Sequence, residues 1–230
     1  MSNPVLEARG IVAHVPGRGS RAVLDGLDFN VEGGESVAIV GRSGSGKSTL
    51  LTILGLLQPP SSGELRVLGE NVGAWSDARR AKVRNEAFGF VFQDYALIRE
   101  LDVRANLEMP LDYAGVRSGR TRRARVAAAL ERVGLAGFER ERPGRMSGGE
   151  QQRVAVARAL VTEPRIVLAD EPTGALDTDT GDEIFALLKR ASADAGSCLV
   201  VVTHDPLVAA GCDRVLTLDR GVLGFGGAQG

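Results

Sequence analysis

Cysteine is scarce: Cys198 and Cys212 are the only two among 230 residues. They have no metal-ligand spacing, and Cys198, which opens the apolar run CLVVV, reads as a buried reduced thiol rather than half of a disulfide. Excess charge of either sign is also missing, with 28 basic residues against 29 acidic ones. No global field therefore recruits nucleic acid or an anionic membrane. The longest apolar runs, VAIV (37–40), IVLA (166–169) and CLVVV (198–202), are strand-length and far too short to cross a bilayer. The opening MSNPVLEARG has no positive segment followed by an apolar stretch, so no secretory leader is expected. A cytoplasmic location follows by default, and any membrane work would need another chain to do the spanning.

What remains is an ordinary globular composition, 43% hydrophobic and 25% charged, in one domain large enough to bury a substantial core. Beta-branched runs bounded by glycine predict strands near 5–12, 23–31, 36–40, 64–68, 88–92, 166–169, 198–202 and 213–218. Several, such as SVAIV and CLVVV, are apolar throughout, as strands covered on both faces are. Helical spacing predicts helices near 47–57, 76–86, 119–134, 149–162 and 179–195. Residues 95–162 have helical pattern and almost no strand pattern, which predicts a helical sub-domain inserted in an α/β core. The basic stretch 117–133 places Val126, Ala129, Leu130 and Val133 at helical spacing, so its arginines form a solvated face rather than a nucleic-acid contact. The glycine-rich tail LGFGGAQG is expected to fray.

Gly41-Arg42-Ser43-Gly44-Ser45-Gly46-Lys47-Ser48 follows a strand and opens a helix, as a phosphate-binding GxxxxGK[ST] loop must. Its glycines let backbone N–H groups ring a β-phosphate, and the helix N-terminus adds partial positive charge. Lys47 can reach the β- and γ-phosphates, and Ser48 offers a hydroxyl to Mg²⁺. The loop alone specifies a nucleotide binder and does not separate kinases, GTPases and ATPases. Further on, the strand of RIVLADE ends in two acids, where open α/β sheets bind ligands. Asp170 is placed to hold Mg²⁺, and Glu171 to polarise an attacking water.

A second glycine turn, Ser147-Gly148-Gly149, opens the helix EQQRVAVARALV. Glu150 follows Ser147 by three, the spacing of a capping box. A bare N-cap does not call for two successive glycines, however. Stripping side chains from a helix N-terminus admits an anion, and the first loop already supplies a helix for its own phosphate. The expectation is a second cradle that grips the γ-phosphate held by a different copy of the chain.

MSGGEQQRVAVARAL closely resembles the signature motif of ATP-binding cassette (ABC) ATPases, and GRSGSGKS and IVLADEP complete that family's trio in the same order. The resemblance spans residues 5–223. It implies a P-loop NTPase core with an N-terminal antiparallel β region and a helical sub-domain, ATP and Mg²⁺ as ligands, and head-to-tail pairing. Each nucleotide would lie between the Gly41–Thr49 loop of one copy and Ser147–Gly149 of the other. It also implies that Gln93 contacts Mg²⁺ or the attacking water, that Asp177 in GALD communicates across the dimer, and that His204 contacts the γ-phosphate and orients Glu171 or the water. By itself, a lone histidine after an apolar strand is commonly structural. The family's adenine-stacking aromatic falls at or near His14, which either stacks, with less ring than a tyrosine and hence weaker binding, or merely ends a strand.

FGFVFQDYALIRELDVRANLEMPL, with LADEPTGALD and VVTHD, is similar to one branch: the ATPases of lipoprotein-releasing complexes, macrolide-type efflux pumps and antimicrobial-peptide resistance transporters. That implies an integral-membrane permease on a separate chain, contacted around residues 93–101, with the cassette peripheral on the inner face of the membrane. The alternative is a soluble, non-transport ABC ATPase. Only 98 residues separate Ser48 from Ser147, with no heptads and no cysteine, which argues against the repair and chromosome types. The single cassette argues against the translation type.

Overall fold

The computed structural model describes residues 4–14 and 22–225. In chain order the strands and helices are β1 (Leu6–Ala13), β2 (Leu24–Val31), β3 (Ser36–Val40), α1 (Lys47–Leu54), β4 (Ser62–Val67), β5 (Glu70–Asn71), α2 (Asp77–Ala87), β6 (Phe88–Phe92), α3 (Val103–Tyr113), α4 (Gly119–Arg132), α5 (Gly148–Leu160), β7 (Ile166–Asp170), α6 (Thr178–Asp194), β8 (Cys198–Thr203), α7 (Pro206–Ala210), β9 (Arg214–Asp219) and β10 (Val222–Phe225). A four-stranded antiparallel sheet runs β2-β1-β4-β5. A six-stranded sheet runs β10-β9-β3-β8-β7-β6 and is parallel except for its β9–β10 hairpin.

The continuously apolar strands are apolar because both faces are covered. On β7, Ile166 and Leu168 join a core shared with α1 and the antiparallel sheet. Val167 and Ala169 point the other way, into a core shared with α3, α4, α5 and α6. β8 divides likewise, with Cys198, Val200 and Val202 on one side and Leu199 and Val201 on the other. Cys198 is a free thiol, and burial pushes it up to about 12. Between β6 and β7 lie three α-helices, α3 to α5, a short 3-10 turn at Pro143–Arg145, and no strand among the described residues.

Three differences from the sequence-based expectation stand out. Helix α3 was not among the predicted helices, because Pro110 interrupts its pattern. Asp102 nevertheless caps it by accepting from Ala105 N at 2.8 Å, and Val103, Leu107 and Leu111 fall on its buried face. The tail starts later than expected: 222–225 pair with β9 as a strand, since a β-hairpin satisfies backbone groups that a frayed end would leave to water. The rest of the tail, 226–230, lies outside the described residues. Helix α1 ends at Leu54 rather than 57, and Leu56 turns left-handed (φ 59°) just beyond it.

Candidate nucleotide site

Strand register assembles the site. Val40 pairs with Thr203, Val202 with Asp170, and Asp170 with Phe92. The C-terminal ends of β3, β8, β7 and β6 thus lie side by side, and the residues that follow them are Gly41, His204, Glu171 and Gln93. Four segments distant in sequence emerge on one edge of a parallel sheet, the position where such sheets bind ligands.

They border a cleft of about 550 Å³ lined by Gly41, Ser43, Gly44, Gly46, Lys47, Ser48, Thr49, Gln93, Asp170, Glu171 and His204, together with Val23. Gly46 caps α1 at φ 107°, a conformation that side chains resist, and a β-carbon there would press within 2.9 Å of Val23 O. Lys47 Nζ donates to Gly41 O at 2.8 Å and Arg42 O at 3.2 Å. Arg42 and Ser45 line an adjoining hollow with Asp219 and Arg220.

Asp170 is held above its ordinary carboxylate value, first by burial and then by the charge of Glu171. Lys47 and a hydrogen bond with Ser48 only partly offset this. A half-buried carboxylate beside a second one suits a divalent cation. A carboxylate, a hydroxyl and the Gln93 amide lining one cleft are oxygen donors of the kind Mg²⁺ takes beside phosphates.

Glu171 has a left-handed backbone (φ 46°), a strained position of the kind that clusters at functional sites. Its Oε2 lies 2.9 Å from His204 Nδ1 and accepts from His204 N at 3.2 Å. The carboxylate is largely shielded, with a side-chain exposure of 16%, whereas the imidazole is 72% exposed. Glu171 is therefore aimed by its neighbour, and His204 faces outward over the cleft. Gln93 packs against the turn after Glu171: a β-carbon on Gly174 would lie 3.0 Å from Gln93 Nε2.

The other predicted residues lie apart from this cleft. His14 follows β1, exposed, donates its N–H to Ser61 Oγ at 3.1 Å, and does not line the cleft. Asp177 caps α6, accepting from Thr180 N at 3.0 Å, and those bonds hold its carboxyl below the ordinary range. Ser147–Gly149 are likewise absent from the cleft lining. The capping box is present: Ser147 N–H donates to Glu150 Oε2 at 2.8 Å, and Glu150 N donates to Ser147 Oγ at 3.3 Å. The paired glycines have a nearer cause than the approach of a foreign phosphate. A β-carbon at Gly148 would come within 2.9 Å of the Tyr95 hydroxyl, and one at Gly149 within 2.8 Å of Thr180 Cγ2.

Sequence reasoning missed the side chains that hold the site's backbone. Gln152, fully buried, donates to Pro172 O and, at 3.5 Å, to Phe92 O, bracketing both Glu171 and Gln93. Its visible signal was a polar residue in register with the apolar face of α5 at Val156 and Ala159. Asn106, also fully buried, accepts from Ile98 N at 2.9 Å and donates to Ile98 O and Asp102 O at 3.0 Å.

The chain is similar to known ABC cassettes. The ABC transporter family model matches residues 24–174. The macrolide export ATP-binding/permease protein MacB 1/2 of Paracoccus denitrificans is 47% identical over 219 residues, covering 95% of this chain and 32% of its own length. The pyoverdine export ATP-binding/permease protein PvdT of Pseudomonas fluorescens is 51% identical over 201 residues, covering 87% of this chain and 30% of its own length. The chain thus spans about a third of the length of the curated relatives it matches. Among solved structures, the dimeric bacterial ABC transporter cassette MJ0796 superposes with a TM-score of 0.85 at 40% identity, covering 95% of this chain and 96% of that one. The same cassette has been solved as a dimer in a post-hydrolysis state bound to ADP and Pi, with a TM-score of 0.85 at 39% identity and the same coverage. These likenesses favour the transporter branch over the soluble alternative, and the chain belongs to the ABC transporter family as one of its ATP-binding cassettes.

Proposed function

We propose that this cassette binds Mg-ATP in the cleft at the strand ends, pairs head to tail with a second copy around two nucleotides, and drives a membrane-spanning permease. The convergence of Gly41, Gln93, Glu171 and His204 on one sheet edge carries the reading. Lys47 and the backbone N–H groups of residues 41–49 hold the phosphates. Ser48, Asp170 and Gln93 would hold Mg²⁺, which when bound neutralises charge on the transferring phosphoryl group. Glu171 accepts a proton from the attacking water, and His204, against its carboxylate, fixes its direction and faces the γ-phosphate. Ser147–Gly149 of the partner copy closes the outer side of that phosphate, Asp177 lies on the same pairing face, and His14 borders the adenine end.

Residues 95–162 act in this reading as a helical sub-domain whose seam with the core receives the permease. A groove of about 350 Å³ runs along that seam, walled by Phe88, Phe90, Phe92, Met109, Pro110 and Tyr113, with Leu57 at its rim. Tyr113 and Leu57 are 67% and 51% exposed, unusually open for large apolar side chains. The groove's charged residues are Arg84 and Arg158, with no acid in its lining. A docking segment that is apolar and carries a carboxylate fits it. Among the described residues no helix is long and apolar enough to cross a membrane. We assign the spanning part to a separate chain and the cassette to the cytoplasmic face. Transport out of the cytoplasm, or extraction from the membrane, is the reading favoured by the exporters named above.

The test is Ser147→Arg. Monomers should bind ATP as the parent does, while ATP-driven dimers disappear from sedimentation profiles. Normal dimerisation by that variant would remove the shared site. Purification from native membranes should recover a permease as a second polypeptide, and its recovery as one continuous chain with the cassette would overturn the separate-chain assignment.

A further inference from the structure

Just beyond Gln93 the backbone does something costly. Tyr95 and Ala96 are both left-handed, at φ 61° and 47°, and neither is glycine. Two consecutive side-chain-bearing residues in that region are unfavourable and persist only when their surroundings hold them. The turn's own amides contribute Tyr95 N to Phe92 O at 3.1 Å and Ala96 N to Asp94 O at 2.7 Å. The carbonyls of the strained pair are held by one side chain from α5: Arg158 Nη2 donates to Tyr95 O at 3.0 Å, and Arg158 Nη1 donates to Ala96 O. Burial draws the guanidinium below its ordinary value, with Asp94 partly offsetting. Its fork geometry, which lets two N–H groups diverge from one rigid plane, suits paired acceptors.

The same turn reaches the other end of α5. A β-carbon on Gly148 would come within 2.9 Å of the Tyr95 hydroxyl, so the Tyr95 side chain lies beside the Ser147–Gly149 turn. Ala96 and Arg158 also line the apolar groove. One side chain therefore touches the groove, the segment after Gln93 and, through Tyr95, the turn that opens α5.

We propose that Arg158 is a positioning residue for ATP-driven pairing: it holds Tyr95 and Ala96 left-handed, which keeps the Tyr95 phenol against Gly148 and aims Ser147–Gly149 at a second copy's nucleotide. This inference rests on the shared-site reading above. Without the guanidinium, the pair relaxes toward commoner backbone angles and the turn loses its backing.

The experiment uses the full chain carrying Glu171→Gln, with Mg-ATP, and reads the dimerisation constant by analytical ultracentrifugation. Arg158→Met should weaken dimerisation about tenfold, the equivalent of one left-handed residue's cost, while monomer affinity for a fluorescent ATP analogue stays unchanged. Adding Ala96→Gly should restore most of the loss, because glycine takes the left-handed conformation freely. Ala96→Val, on an exposed residue, should weaken dimerisation similarly with the guanidinium untouched, which keeps the test alive if Arg158→Met does not fold. A simple packing role for Arg158 predicts no rescue by Ala96→Gly and no effect of Ala96→Val, and either result overturns the proposal. If the Glu171→Gln parent does not dimerise, the shared site fails and this inference with it. If the parent dimerises and Arg158→Met matches it, only this inference fails.

Discussion

Gly149→Ala separates two explanations for the paired glycines, because they predict opposite signs in the isolated chain. If glycine is there only to admit a nucleotide from another copy, alanine should stabilise the monomer through its better helix propensity, by up to about 1 kcal/mol. The structure instead puts Thr180 Cγ2 2.8 Å from the new β-carbon. Thr180 is β-branched and stiff at χ1, and it sits in the first turn of α6, where its N–H is already committed to Asp177. It cannot yield cheaply, so overpacking of about 1–3 kcal/mol applies. Set against the propensity gain, the net effect is a loss of roughly 0–3 kcal/mol. Urea unfolding of the nucleotide-free chain measures it. In a Thr180→Ser background the methyl is gone, and Gly149→Ala should become neutral or stabilising. Stabilisation by the single variant, with the same value in both backgrounds, would refute the contact-based explanation.

Glu171→Gln should retain ATP binding and lower turnover by about 10²–10⁴-fold, as steady-state phosphate release would show. Asn106→Leu removes a fully buried amide that bonds to Ile98, Leu101 and Asp102; the abandoned backbone groups should cost about 2–4 kcal/mol and speed amide exchange across 98–102. Asp213 accepts from Ser36 N and Oγ at 2.9 and 2.7 Å, and these bonds, with Lys189, hold its carboxyl down to about 2 from 3.8. A depressed carboxylate contributes its stability above pH 3.8 and loses it as pH falls toward 2. Asp213→Asn should therefore destabilise the chain near neutrality and flatten the acid limb of its stability curve, as thermal melts between pH 2 and 6 would reveal.

The parts of the fold that follow from local pattern were legible in the sequence. Strands covered on both faces announced themselves as unbroken apolar runs, and β7 and β8 lie where those runs predict. The strand, glycine-spaced turn and helix of residues 36–54 were legible because the motif requires them in that order. What escaped is of two kinds, an interrupted local pattern and side chains whose partners lie in other segments. Helix α3 hid behind Pro110, although its cap and its apolar spacing were there to read. Gln152 holds the Phe92 carbonyl 60 residues away and Arg158 the Tyr95 carbonyl 63 residues away, while Asn106 ties its own helix to the loop just before it, and nothing in their local spacing names those acceptors. The paired glycines were legible as unusual, but their neighbours Tyr95 and Thr180 are brought to them only by the fold.

The most direct test of the shared nucleotide site mixes two crippled chains. Lys47→Ala disables the phosphate loop, Ser147→Arg disables the signature turn, and both chains carry Glu171→Gln so that bound ATP is not consumed. Neither should dimerise alone with Mg-ATP. Mixed, with different tags, they should form a heterodimer that traps a single ATP, between the intact loop of one chain and the intact turn of the other. If each nucleotide instead belongs to one chain, the mixture will trap none.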